Sequence, residues 1–86
     1  MKLKWRRTWP DVPADFVAYD ETGQQIGRVF RDIKPTGGTE WQWAGSGRYK
    51  GWNLSDAGRC ETKQEAIDAL KQAWIEMVAR RDRAPP

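Results

Sequence analysis

The chain has 86 residues, among them six tryptophans and one cysteine but no histidine. This length allows one compact domain, in which tryptophan side chains can fill the core as well as make contacts. A structural zinc site, which needs four cysteine or histidine ligands, and an internal disulfide are both excluded. Because no long apolar run or signal segment occurs, we expect no membrane span and a cytoplasmic protein without metal or cofactor.

The net charge of +3 is carried by the two ends of the chain. The first seven residues hold four cations and no acid, and segment 80–83 adds three arginines against Asp82. Residues 8–79 therefore sum to −3. Since nucleic-acid binders usually carry their basic residues on one face of the fold, we interpret the basic ends as segments that keep a small protein soluble.

The first two thirds of the chain predict short β-strands. Residues 2–7 alternate cations with Leu3 and Trp5, as in a half-buried strand. The β-rich runs DFVAYD and QQIGRVFRD follow a proline-rich loop and are separated by residues 21–23, a hairpin connection. EWQWA and RYKGWNL each follow a glycine-containing turn, and SDAGR closes this part. The sequence predicts an antiparallel sheet of four or five strands within residues 2–54.

The last third predicts one amphipathic helix over residues 62–81, followed by a short basic and proline-containing tail over residues 82–86. Thr62 and Glu65 fit a capping box, in which each side chain satisfies a backbone N–H at the start of the helix. An apolar stripe follows at three- and four-residue spacing: Ile67, Leu70, Trp74, Met77 and Val78. We expect this stripe to pack on one face of the sheet, which makes residues 1–86 a single α+β domain.

A single helix covers only one face of a sheet, and the strand sequences leave aromatic and basic residues for the other. In QQIGRVFRD, the side chains of Ile26, Arg28 and Phe30 share one face, while those of Val29 and Arg31 share the opposite face. Whichever face the helix covers, some aromatic side chains remain beside arginines. An exposed apolar patch on the order of a few hundred Å² on a small protein usually marks an interface.

The densest candidate site is the segment EWQWAGSGRYKGW, and no acid occurs from Trp41 to Ser55. Alternating aromatic and basic side chains can stack on bases, hold a cation or anchor a protein interface. They can equally fill the core of a small domain. We predict a partner-binding surface built from this segment and from two arginines of the preceding strand: Arg28, Arg31, Trp43, Arg48, Tyr49, Lys50 and Trp52.

The sequence contains no recognisable enzyme motif. The glycines of GSGRYKG miss the dinucleotide-binding spacing by one residue, and they follow a hairpin instead of opening a helix. Cys60 has no histidine anywhere in the chain to act as its base. We therefore predict that the protein is not an enzyme and has no catalytic residue.

The order of LKW, FVAY, IGRVF, WQW and GRCETKQEAIDAL along the chain resembles small uncharacterised proteins that are common in bacteriophages and prophages. The resemblance covers most of the chain through short, mainly structural motifs. Some phage proteins of this size inhibit host defence systems such as CRISPR–Cas, so the resemblance implies a protein that occupies a host protein surface. The sheet-and-helix DNA-binding domains of phage integrases and of one family of plant transcription factors are similar in outline, and they lay their sheet in the major groove.

Two functions remain open from the sequence. The first is a non-enzymatic protein-binding module, anchored by exposed aromatic side chains together with Arg28, Arg48 and Lys50, because Trp, Tyr and Arg dominate interface hot spots. The second is a nucleic-acid-binding domain that uses the aromatic and basic sheet face, with the basic ends contacting phosphates. The net negative charge of residues 8–79 favours the first function.

Overall fold

A computed structural model describes residues 3–85, which form seven β-strands and one α-helix. The strands are β1 (Lys4–Arg7), β2 (Asp15–Tyr19), β3 (Gln25–Ile33), β4 (Thr39–Gly45), β5 (Arg48–Tyr49), β6 (Trp52–Asn53) and β7 (Ala57–Cys60), and the helix is α1 (Lys63–Arg83). One antiparallel sheet has the order β1-β2-β3-β4-β7, while β5 and β6 form a separate hairpin. With α1 packed on the five-stranded sheet, the predicted α+β fold is confirmed.

Strand β7 lies outside the range in which the sequence predicted strands. Three of its four residues, AGRC, have small side chains, and the strand lacks the apolar alternation that marks a half-buried strand. Pairing with β4 creates the strand, because Trp43 lies opposite Gly58 and Trp41 lies opposite Cys60. A Cβ on Gly58 would come within 2.6 Å of the Trp43 indole nitrogen, so this glycine leaves room for the ring. Such a pairing depends on long-range contacts that local sequence does not reveal.

The helix covers the sheet face that carries Gly27 and Val29. A Cβ on Gly27 would meet Leu70 Cδ1 at 2.5 Å, so the lack of a side chain on β3 lets α1 lie close to the sheet. The predicted apolar stripe of α1 faces this point, with Leu70 and Trp74 fully inside. The buried core consists of Ala18, Ile26, Val29, Leu54, Ala66, Leu70, Trp74 and Met77.

Simple alternation along β3 gives the wrong face for Ile26. Its side chain is expected on the open face with Arg28 and Phe30, yet it is fully buried in the core. The cause is a β-bulge: Ala18 of β2 lies opposite Gly27, but the next residue, Tyr19, lies opposite Gln25. Ile26 is the extra residue of the bulge, which lets its side chain turn to the helix side.

The helix begins at a partly confirmed capping box. Thr62 Oγ1 accepts a hydrogen bond of 3.2 Å from the backbone N–H of Glu65, as predicted. The Glu65 carboxylate accepts a hydrogen bond of 2.9 Å from the Thr62 hydroxyl, whereas a full capping box would place it on the Thr62 backbone N–H. At the other end α1 continues to Arg83, two residues beyond the predicted end, with three arginines in a last turn where cations are favourable.

Candidate binding surface

The structure brings together four of the seven predicted site residues and places the other three elsewhere. Arg48, Tyr49, Lys50 and Trp52 share the β5–β6 hairpin. Arg28 projects from the open face of the sheet, whereas Trp43 and Arg31 lie on the face that α1 covers. Trp43 is half-buried against the core and Arg31 is exposed near the end of β3. The predicted residues thus belong to three surfaces instead of one.

The hairpin is fastened to the end of α1. The Tyr49 ring meets the Trp74 ring edge-on at a centroid distance of 6.3 Å, and its hydroxyl donates a 2.8 Å hydrogen bond to Asp82. Lys50 Nζ lies 3.1 Å from the same carboxylate oxygen, while Arg81 Nε donates to the Lys50 carbonyl. Hydrogen bonds from Tyr49 and then Lys50 lower the pKa of the Asp82 carboxyl. Tyr49 and Lys50 are therefore engaged in contacts within the fold.

The remaining side chains of the hairpin face solvent. Trp52 is 40% exposed, and Arg48 donates a 2.9 Å hydrogen bond to the side chain of Asn53 across the hairpin. The two residues of the turn, Lys50 and Gly51, both have positive φ, 48° and 87°, as a type I′ turn requires. Arg48 and Trp52 thus lie on a short, tightly turned hairpin, and they are the only two side chains of the predicted surface without a hydrogen bond to α1 there among the described residues.

The open face of the sheet carries aromatic rings beside arginines, as the alternation predicted. The guanidinium carbon of Arg28 lies 4.5 Å from the Phe30 ring centroid, and that of Arg6 lies 5.9 Å from the Tyr19 centroid. These distances are within the range of cation–π attraction. Each of these two rings thus already has one cation of the chain itself over it.

Carboxylates of the same face neutralise two of its arginines. Arg28 binds the buried Asp15 through both carboxylate oxygens, and its Nε donates at 2.7 Å. This hydrogen bonding is the main cause of the lowered pKa of the Asp15 carboxyl, and it outweighs the opposing effect of burial. Arg59 lies 3.3 Å from Glu40. A phosphate approaching this face would have to compete with both carboxylates for these arginines.

A groove opens between β1, β2 and the first turns of α1. The helix packs against β3, β4 and β7, so the helix side of β1 and β2 is only partly covered. The groove has a volume of about 370 Å³ and is lined by Trp5, Arg6, Arg7, Phe16, Lys63 and Ile67. We call it the β1 groove.

The β1 groove has an apolar floor and a basic rim. Trp5, Phe16 and Ile67 are half-buried, and Lys63 Nζ lies 3.9 Å from the centre of the Phe16 ring. The side chain of Arg6 turns to the open face, over Tyr19, so the basic rim of the groove consists of Arg7 and Lys63. Among the described residues that line the groove, none is acidic. Within residues 3–85, no ion pair joins these cations to a carboxylate. The same holds for Lys4 and Arg6 on the other face of β1. In the part of the chain that the structure describes, positive charge that no ion pair compensates is therefore gathered at this edge of the sheet.

Sequence reasoning missed the β1 groove because the basic start of the chain was interpreted as a solubilising end. Lys4, Arg6 and Arg7 instead belong to β1, which pairs along its length with β2. The alternation around Trp5 did predict a half-buried strand, and that was the available signal. What the sequence could not show is that α1 lies over the other half of the sheet, which leaves Trp5 and Phe16 at an open groove.

The structure also bears on chemistry at Cys60. Burial, followed by the negative charge of Glu65, raises the pKa of this thiol, so it stays protonated at neutral pH. Among residues 3–85 there is no group of three or more Cys, Asp or Glu side chains placed to hold a metal ion. In the same part of the chain, α1 is not apolar enough to cross a bilayer.

Comparisons with protein-family models, with curated proteins and with solved structures each found no significant match. The fold is that of a small α+β domain, with a five-stranded antiparallel sheet and one helix. Its distinguishing surface is an apolar groove with a basic rim, located at the β1 edge of that sheet.

Proposed function

We propose that the chain is a non-enzymatic protein-binding module that binds its partner through the β1 groove. The observation that carries this proposal is the combination of an apolar floor at Trp5 and Phe16 with a rim of cations that no carboxylate of residues 3–85 neutralises. Trp and Arg are enriched at the centres of protein interfaces, where a partner excludes water from them. A partner that covers the groove would remove the half-buried rings from water and add charge pairs at the rim.

The resemblance to phage and prophage proteins extends the proposal to the setting in which the module acts. On that resemblance, the partner is a host protein in the cytoplasm, and the module works by occupying its surface. Inhibition of a host defence system such as CRISPR–Cas is one form of that activity. To occupy the surface of another protein, the module needs only a shape and charge that complement that surface, and no catalytic group.

The alternative function, nucleic-acid binding, is favoured by one observation. Arg6 and Arg28 lie over aromatic rings on the open face, with Lys4 on the same face of β1, and such surfaces can hold stacked bases and phosphates. Against it, Arg28 is bound by Asp15. The protein-binding proposal requires no such internal ion pair to break, so we prefer it.

A capture experiment with matched charge reversals tests the proposal. The immobilised chain is incubated with a nuclease-treated bacterial lysate, and the bound proteins are quantified. One variant carries Arg7→Glu and Lys63→Glu at the groove rim. Its control carries Arg31→Glu and Arg48→Glu, which have the same change in net charge at two exposed positions elsewhere. All four side chains are exposed, so neither variant should lose much stability.

We expect the groove variant to lose a captured protein that the wild type and the control variant retain. Loss in the control variant alone would move the interface away from the groove and contradict the proposal. Capture from an untreated lysate that is absent from the nuclease-treated one would support the nucleic-acid alternative. Melting temperatures of both variants are measured alongside, so that an unfolded protein is not mistaken for a lost contact.

A further inference from the structure

The β1 strand forms an edge of the sheet whose other side pairs with no strand of residues 3–85. The backbone N–H of Thr8 donates a 3.0 Å hydrogen bond to the Asp15 carbonyl. Along an antiparallel pair, residues alternate between those that exchange hydrogen bonds with the partner strand and those that point away. With Thr8, Arg6 and Lys4 turned to β2, the N–H and C=O groups of Trp5 and Arg7 point to the free edge.

These same two residues carry side chains of the β1 groove. Trp5 lies opposite Ala18 in the register and Arg7 lies opposite Phe16, so both side chains are on the helix side of the sheet. On the other side of β1, Lys4 and Arg6 face the open surface. The free backbone edge is therefore flanked on the helix side of the sheet by the apolar groove with Arg7. On the open side of the sheet it is flanked by Lys4 and Arg6.

From this juxtaposition we propose that the partner segment is an extended, acidic peptide that adds to β1 as a sixth strand. Its backbone would hydrogen-bond with Trp5 and Arg7, as in strand addition to exposed sheet edges. Its side chains alternate in direction, so apolar residues would enter the β1 groove while carboxylates face Lys4 and Arg6. This inference rests on the proposed protein-binding function and names the chemistry of the partner.

The positive charge of β1 favours an acidic peptide at the free edge over a second copy of the chain. Two β1 strands paired edge to edge would set Lys4, Arg6 and Arg7 against the same three cations. Like charges on neighbouring strands destabilise the pairing, and natural edge strands use basic residues to prevent self-association. An acidic segment converts the same charges into attraction.

Backbone N-methylation tests strand addition directly, since a methyl group removes the donor without changing the side chain. The whole chain is prepared by joining segments 1–59 and 60–86 at Cys60, with N-methyl Trp5 in one product. The matched control carries N-methyl Arg59 at the opposite edge of the sheet. Gly45 N–H donates to the Asp56 carbonyl, so the alternation places the Arg59 N–H away from β4.

The probe is a blocked, fluorescent peptide of sequence Glu-Val-Glu-Phe-Glu-Val-Glu. Its controls are the scramble Glu-Glu-Val-Phe-Val-Glu-Glu, which has no apolar face, and the counterpart with lysine for every glutamate. We expect the alternating acidic peptide to bind best, with an affinity that falls as salt is added. N-methyl Trp5 should weaken binding about tenfold or more, while N-methyl Arg59 should leave it unchanged.

The outcomes separate this inference from the proposed function. If the peptide does not bind, or binds equally well to the N-methyl Trp5 protein, strand addition is wrong. If the groove charge reversal nevertheless abolishes capture of a lysate protein, the binding function stands without the added strand. A concentration-dependent dimer that N-methyl Trp5 abolishes would also overturn the inference, because the edge would then serve self-association.

Discussion

At the scale of single residues, Trp74 connects the helix with the β5–β6 hairpin and the loop before it. Its ring is 2% exposed, meets Tyr49 of the hairpin, and lies so close to Gly47 that a Cβ there would come within 2.6 Å. Ile26, the extra residue of the bulge, belongs to the same core. The indole N–H, however, makes no hydrogen bond within residues 3–85. The contribution of Trp74 is therefore one of volume and apolar area.

The first prediction separates the ring of Trp74 from its N–H. Trp74→Ala should lower the free energy of unfolding by about 3–5 kcal/mol, as for other large core aromatics. Trp74→Phe should cost less than half as much, since it keeps most of the ring and removes a buried donor that lacks a partner. Chemical denaturation of both variants measures the two values. Equal losses would contradict the prediction, because the ring that Trp74→Phe retains would then contribute nothing to stability.

The second prediction concerns the ion pair of Asp15 and Arg28. The pKa of the Asp15 carboxyl lies below its ordinary value of 3.8, so folding favours the ionised form. The stabilisation is complete above about pH 4 and is lost as the pH falls through the folded pKa. Asp15→Asn should cost about 1–3 kcal/mol at pH 7, because a buried hydrogen-bonded charge is removed.

The measurement is the difference in unfolding free energy between wild type and Asp15→Asn across the acid range. This difference should be constant from pH 7 to about pH 5 and should shrink below about pH 4. Asp11→Asn, at an exposed loop position, serves as the control and should follow the wild type throughout. A difference that persists unchanged at low pH would assign the effect of Asp15→Asn to packing instead of to charge.

At the scale of elements, two side chains of the β5–β6 hairpin that were predicted to bind a partner instead attach the hairpin to α1. The aromatic and basic composition of the hairpin was evident from the sequence. Its turn at Lys50 and Gly51 was not, because the glycine turn was predicted at residues 45–47 and RYKGWNL was predicted as one strand. The hydrogen-bond partner of Tyr49 and Lys50 within the fold could not be predicted. This partner, Asp82, lies more than thirty residues away in the sequence, in a segment that was predicted as a tail. Only the position of the end of α1, fixed by packing of the whole helix, brings that carboxylate to the hairpin.

The third prediction is that Asp82→Ala loosens the hairpin selectively. Amide hydrogen exchange over residues 48–54 should accelerate, while exchange in β2 and β3 should stay unchanged. The helix itself should not fray, since removing an acid from its last turn improves its charge pattern. Asp68→Ala is the control, because the side-chain partner of Asp68 is Gln64 on the same helix. Uniform acceleration across the sheet would show that the contact supports the entire fold.

Among the elements, the helix and the β1–β4 strands could be predicted from local patterns, whereas β7 and the bulge could not. The helix has a cap and an apolar stripe, a proline-rich loop separates β1 from β2, and turns with glycine separate β2, β3 and β4. β7 depends on pairing with Trp41 and Trp43, and the buried position of Ile26 depends on a shift of one residue between β2 and β3. The strand β7 and the bulge both depend on how two strands pair with each other, and the sequence of one segment alone does not show this pairing.

At the scale of the whole molecule, the position of the helix decides which surface is available. Periodicity showed that one face of the sheet would be covered, but the lateral position of α1 depends on where glycines allow close approach. Gly27 on β3 supplies that point, and β1 and β2 are left at the margin. The β1 groove therefore could not be predicted from the sequence, although the sequence does show Trp5 with cations on both sides of it.

The fourth prediction uses the charge distribution of the entire domain. Arg28 and Arg59 of the open face are bound by carboxylates, so we expect arbitrary DNA to bind with micromolar or weaker affinity. Labelled duplex and single strand are titrated at about 50 and 200 mM salt. Submicromolar affinity with a steep salt dependence, flattened by about one phosphate contact in Arg6→Ala, would contradict the protein-binding proposal and promote the nucleic-acid alternative.

The strand order has a consequence for synthesis of the chain on the ribosome. Four of the five sheet strands emerge first, in spatial order, but β7 and α1 follow after residue 56. Until Leu70 and Trp74 leave the exit tunnel, the side chains of Val29 and Trp43 lie on a sheet without its helix. A translation product interrupted before Ala57 would thus display a tryptophan-rich surface to chaperones and proteases. The protein can bury the apolar face of its sheet, and so avoid chaperone binding and proteolysis, only after the last third of the chain has been synthesised.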